Sequence, residues 1–242
     1  MKRENDRLFA LFAGVTALAM LLCLYAVYFY APTERFMGDV QRLFYFHVGS
    51  AWNAYLAFAL AMACSLLYLW RRSARWDQLA AASAELGVLF TTLVLITGPL
   101  WARPVWNAWW RWDDPRLVST LILWFIYVGY LFLRFSITGE RGKRVAAVFA
   151  VIGFVDVPIV HYSVQWWTSI HPNVVTEQGI QMDERMIATM LVTTLAFMLL
   201  FFFFLCLGYR AERMRQEVEA LEVKAAEGDL PTDSPSVGRR RR

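Results

Sequence analysis

Along the chain, long apolar stretches alternate with short polar, basic or aromatic connections. Six stretches stand out, over 8–30, 48–70, 79–101, 117–133, 145–162 and 186–209, and within them only Glu85 and Asp156 carry charge. A helix needs about 20 consecutive apolar residues to cross the hydrocarbon layer, within a range of roughly 17–25. In lipid each backbone amide must find its partner inside its own segment, which selects helices for runs of this kind. The pattern therefore predicts an all-α integral membrane protein with six transmembrane helices in one domain, 1–209. The first run is too long for the apolar core of a signal peptide and no small-x-small motif follows it, so it reads as a retained helix. The tail, 210–242, is different in kind. Arg210 to Lys224 reads as a charged helix, and the Gly, Asp, Pro and Ser that follow, ending in four arginines, read as disordered.

Composition agrees with the pattern. Of 242 residues 58% are hydrophobic and 18% charged, whereas soluble domains are nearer half apolar and a quarter charged. Charge then sets orientation. With the N-terminus inside and the connections alternating, eighteen of the 24 Lys and Arg residues lie inside and six outside, an N-in, C-in arrangement by the positive-inside rule. The net charge of +4 thus reflects topology and gives no case for nucleic acid. The terminal arginines are either a contact for anionic lipid or a solvated tail. Cys23, Cys64 and Cys206 fall within apolar runs with no CxxC pairing, which reads as packing. No GxxxxGK[ST] loop is present, so any ATP is used by another chain. No paired Gly/Pro breaks mark an inverted-repeat transporter.

The chemistry concentrates outside. The connection 101–116 holds five of the eleven tryptophans, Trp101, Trp106, Trp109, Trp110 and Trp112, and the next outward connection adds Trp166 and Trp167. Tryptophan favours the interface, yet the clearly inward tryptophans are only Trp70 and Trp76. If the loop turns helically, Trp106, Trp109, Trp110 and Asp113 share a face. Such indoles make a flat apolar platform for a large planar ligand, and the alternative is one half of an aromatic belt. All three histidines are also outward. His47 starts the second span, His161 ends the fifth, and His171 lies beyond it. A single interfacial histidine is a hydrogen-bonding filler. Two at matching depth beside an indole-rich loop suit the axial positions of a haem iron. Arg42, Arg111 and Arg116 share that surface, where a guanidinium either pairs with a carboxylate such as a propionate or snorkels to headgroups.

The run Trp106-Asn-Ala-Trp109-Trp110-Arg111-Trp112-Asp113 resembles the tryptophan-rich "WWD" signature of the haem-handling protein family. Together with Gln41-Arg42 before His47, and with His161 followed by Val164-Gln165-Trp166-Trp167, it makes the chain similar to the haem exporter protein C (cytochrome c maturation protein C) family. The resemblance runs from about Gln41 to His171, and the six-span layout extends it over nearly the whole chain. It implies a haem-binding assembly factor without catalysis, carrying haem b as cargo at the periplasmic face of a bacterial inner membrane. It implies delivery to a periplasmic haem chaperone for cytochrome c biogenesis. The partners implied are an ABC transporter ATPase, its membrane subunit, and a small single-span helper. His47 and His161 match the family's axial ligands, Trp106 to Asp113 its loop (with Trp109, Trp110 and Trp112), and Arg42 and Arg116 its arginines near the haem edge. Asn107 stands where the motif has glycine and tolerates positive φ. Asp114-Pro115 follows Asp113 before Arg116, and Asp156 stands where an amide is expected. Two other readings use the same features: a permease for another aromatic or amphipathic solute, and a b-type cytochrome subunit. The latter generally needs four histidines for two haems, and this chain has three.

Overall fold

The computed structural model describes residues 2–169, 171, 175–176, 179–180 and 182–226. The expected disorder after Gly228 and the lipid contact of the terminal arginines fall outside the described residues. Helix α1 runs over Lys2–Tyr25 and continues as a π-helical turn, Ala26–Tyr30. A short 3-10 turn, Asp39–Gln41, leads into α2, Arg42–Arg71, followed by α3, Ala74–Trp106, and α4, Pro115–Ser136. The fifth crossing is built from α5, Gly139–Gly153, and α6, Asp156–Trp166. A two-residue antiparallel pair, β1 Val175–Thr176 with β2 Gly179–Ile180, precedes α7, Glu184–Ala226. Six segments are long and apolar enough to cross a membrane, as the hydropathy pattern predicts.

Three expectations need correction. His47 does not start the second helix. Gly38 turns with φ +60° and α2 begins at Arg42, so His47 sits more than a turn inside it. The fifth crossing is not one helix, because it breaks at Phe154–Val155. Pro158 lacks an amide hydrogen, and its ring would meet the carbonyl of Phe154, four residues back, in an unbroken helix. The tryptophan loop does not turn helically. Asn107 takes a left-handed conformation, φ +54°, and ends α3 at Trp106. Trp109 to Asp113 are irregular, so Trp106, Trp109, Trp110 and Asp113 share no helical face.

The centre of the molecule is the α2–α3 hairpin. Small buried residues line its seam, among them Ala54, Ala57 and Ala61 of α2 and Ala81 and Ala84 of α3, which lets the backbones approach as helices in lipid commonly do. A Cβ placed on Gly87 would lie 2.2 Å from the Phe58 ring, so glycine is what admits that ring. Phe58 in turn stacks on Tyr127 of α4 at 3.8 Å. At the inner end, buried Asp77 and Glu212 and partly buried Arg134 tie α3, α4 and α7 together. Arg134 donates to Asp77 at 2.7 and 2.9 Å and to Glu212 at 2.6 Å. Gln216 donates to Asp77 at 2.8 Å. Cys23 and Cys64 are buried, Cys206 is exposed, and all three are free thiols.

Candidate functional site

At the end of the bundle opposite that cluster, α2, α3, α4, α6 and the outer connections surround a cavity of about 630 Å³, a size typical of small-molecule and cofactor sites. His47, His161 and His171 all line it, with Trp52, Trp101, Trp106, Trp110 and Arg116 among the other walls. The outer position follows from the bias of basic residues.

His47 reaches the cavity from α2. Its Nδ1 bonds to Thr97 Oγ1 of α3 at 2.9 Å, which leaves Nε2 as the free nitrogen. A Cβ on Gly98 would meet the His47 ring at 3.4 Å, an ordinary van der Waals contact, so Thr97 holds the imidazole and Gly98 lies beside it. The His171 ring lies 6.1 Å from that of His47, 5.7 Å from Trp106 and 6.4 Å from Trp101. Burial, then the neighbouring His47 and Arg116, push its pKa down to about 3. It is therefore neutral at physiological pH, the form that ligates metal. His161 stands elsewhere on the wall, in a nest of aromatic rings: Trp52 at 6.1 Å, Tyr55 at 6.0 Å and Tyr162 at 4.9 Å.

Arg116 donates through Nη2 to the carbonyl of His161 at 2.7 Å. Its own position is set by Asp114, whose carboxylate caps α4 by accepting the amides of Arg116 and Leu117 at 3.0 and 3.1 Å. The same carboxylate accepts the Ser169 hydroxyl at 2.6 Å, and Ser169 Oγ accepts the His171 amide at 3.0 Å. The Asp114-Pro115 step, an irregularity in the motif, thus starts α4 and holds His171 over the cavity.

The other sequence-derived residues divide. Trp106 and Trp110 line the cavity. Trp109 is 57% and Trp112 75% exposed, and neither lines the cavity, though the Trp112 ring packs edge-on against Trp110 at 5.7 Å. The platform and belt readings each fit part of one loop. Asp113 is exposed and pairs with Arg111 at 2.5 and 3.0 Å, which holds its carboxyl below the usual range. Arg42 lies outside the cavity, bonding to Asp39 and to the carbonyls of Val27 and Ala31, where it straps the end of the first crossing. The residue types alone gave no sign that Trp52, Thr97, Gly98 and Tyr55 belong to the site, and Trp101 was visible only as the first tryptophan of the loop. His171 was visible only as a third histidine.

Four polar atoms on cavity-lining residues are buried with no hydrogen-bond partner among the described residues: Trp101 Nε1, Trp110 Nε1, Arg116 Nε and His171 Nδ1. Buried polar groups are normally satisfied; these four, like six others away from the cavity, lack a partner among the described residues. No group of three or more His, Cys, Asp or Glu able to hold a bare metal ion occurs among the described residues. The arrangement instead suits a large planar ligand that brings its metal with it, with imidazoles at the metal, indoles along the ring and a guanidinium at an anionic edge.

A family model described as Heme exporter protein C matches residues 1–224. The chain is 34% identical over 199 residues to Heme exporter protein C of Bradyrhizobium diazoefficiens, covering 81% of this chain and 75% of that one. It is 37% identical over 144 residues to Heme exporter protein C of Escherichia coli K12, covering 59% and 58%. Against Heme exporter protein C of Haemophilus influenzae it is 30% identical over 202 residues, covering 81% and 80%.

Proposed function

Because this chain belongs to the heme exporter protein C family, we propose that it binds one haem in the outer cavity and delivers it for cytochrome c maturation. The observation that carries this reading is the meeting of imidazoles, indoles and an arginine, four of their polar atoms unpaired, on one cavity. The resemblance pairs His47 with His161. The geometry favours His171 as the partner of His47. A metal–imidazole bond of about 2 Å, with a further ~1 Å from nitrogen to ring centre, puts two axial imidazoles about 6 Å apart across one iron. The His47 and His171 rings are 6.1 Å apart, and His171 has an unpaired nitrogen. His161 is then a wall of the site, fixing Arg116 through its carbonyl.

In this reading His47, oriented by Thr97, and His171, held by Ser169 and Asp114, clasp the iron. Trp101, Trp106 and Trp110 cover the ring, and Arg116 takes an anionic edge. The cargo must also leave. His171 lies outside the helices, so release of this axial ligand need not displace α2, which carries the other. The recipient is a periplasmic haem chaperone, and the membrane is a bacterial inner membrane. The chain works within a haem export complex, beside an ABC transporter ATPase, its membrane subunit and a small single-span helper. ATP is used there, since this chain has no phosphate-binding loop.

Titrating haem into the purified full-length protein tests the reading. One equivalent should bind with the low-spin, six-coordinate spectrum of a bis-imidazole iron. Two equivalents would point to a b-type cytochrome subunit, and none to a permease for another solute.

A further inference from the structure

Helix α7 is 43 residues long, about 65 Å at 1.5 Å per residue and some twice the ~30 Å hydrocarbon layer. Its inner part therefore projects well beyond the membrane. There Leu207, Ala211, Met214, Val218, Leu221 and Ala225 recur at alternating steps of four and three. These are heptad positions, with Ala211, Val218 and Ala225 at a and Leu207, Met214 and Leu221 at d. All six are exposed, Met214 by 59%, Val218 by 53% and Leu221 by 55%. The opposite face holds the helix to the body, through buried Glu212 and through Gln216, which bonds to Asp77 and Gln78. The apolar stripe is thus turned outward by a fixed polar clamp.

The stripe continues a seam that is covered higher up. One turn above Leu207, Phe203 packs on Phe9 and Phe12 of α1 at 5.3 and 5.9 Å, and Arg210 lies over Phe9. Below this level, among the described residues, only the α4–α5 connection comes near, with Thr138 beside Met214 and Val218 and Phe135 under Arg215. The chain's own tail is unsuited to the task. Over 227–242 its only large apolar residues are Leu230 and Val237, interrupted by Pro231 and Pro235. A second copy is unsuited as well. In a parallel pair the flanking g and e positions would set Arg210 against Arg215 and Glu217 against Glu222, like against like.

We propose that this stripe docks one helix of a partner subunit, running parallel to α7 as a two-stranded coiled coil. The partner carries acidic residues facing Arg210 and Arg215 and basic residues facing Glu217 and Glu222, in competition with Glu212 and Glu85 for Arg215 and with Arg213 for Glu217. Val218 at a, with Leu207 and Leu221 at d, suits two strands. The proposal is independent of the haem reading.

The test uses the full-length protein in detergent and two synthetic three-heptad helices. One has the charges just described and the other has them exchanged. The first should bind about tenfold more tightly than the second, the effect of four flanking charge pairs. Val218→Asp with Leu221→Asp should abolish binding while melting temperature and elution volume stay as in the wild type. Glu217→Lys with Glu222→Lys should erase or reverse the preference between peptides without touching the apolar stripe. Equal binding of both peptides, binding of neither, or a dimer cross-linked through Val218→Cys would each overturn the proposal.

Discussion

His47 engages Thr97 through Nδ1, and because the Thr97 hydroxyl donates to the Leu93 carbonyl at 2.7 Å, Nδ1–H is the donor of that contact and Nε2 the free nitrogen. Such supporting bonds typically change ligand affinity 10–100-fold when removed. Thr97→Val should therefore weaken haem binding by about that factor while leaving the melting temperature near wild type, since only one hydroxyl is lost. Unchanged affinity in a titration would mean that the Thr97 contact orients nothing. This contact also shows why residue types alone could not complete the site. His47, His161, Trp106, Trp110 and Arg116 were legible because their chemistry is distinctive and they fall on one side of the membrane. Thr97 and Gly98 are ordinary helix residues some fifty positions from His47, and only the packing of α3 on α2 makes them neighbours. Asp113 and Arg42 were distinctive too, yet local partners engage both: Arg111 for the first, Asp39 and the carbonyls of Val27 and Ala31 for the second.

Asn107 decides where α3 ends and hence which tryptophans face the cavity. Its φ of +54° costs a β-branched residue about 1–2 kcal/mol and glycine nothing comparable. Asn107→Gly should behave as wild type. Asn107→Val should lower stability by about that amount and reduce haem binding, because Trp106 and Trp110 lie on either side of it. A fully stable, fully binding valine variant would detach the turn from the site. At the scale of elements the hydropathy pattern placed all six crossings but shortened most of them. The second, for example, was read as 48–70 and spans Arg42–Arg71. Apolar runs mark the stretch that touches lipid, whereas helices continue into the interface wherever backbone geometry and neighbours allow. The break before α6 rests on Pro158, visible in the sequence, but the depth of the surrounding apolar run masked it.

Taken whole, the molecule is a bundle fastened at its inner end by charge and left open at its outer end around the cavity. Arg134 is the hub of the fastening, and its side chain is 9% exposed beside carboxylates that are 3% and 7% exposed. Removing one member of such a cluster strands buried charge, at a cost of about 3–5 kcal/mol. Arg134→Ala should therefore lose most folded protein, as read by melting temperature in detergent, and an unchanged midpoint would refute the hub. This cluster was not legible beforehand, because Asp77, Arg134 and Glu212 lie in three separate connections that look like ordinary charged membrane flanks. The outer cavity is the complementary feature, where one iron is proposed to be held between His47 and His171. The absorption spectrum of the haem-loaded protein decides it. His47→Ala and His171→Ala should each lose the six-coordinate signature, and with His47→Gly or His171→Gly free imidazole should restore it. His161→Ala should keep it. A spectrum lost in His161→Ala and retained in His171→Ala would contradict the account and return the second ligand to His161.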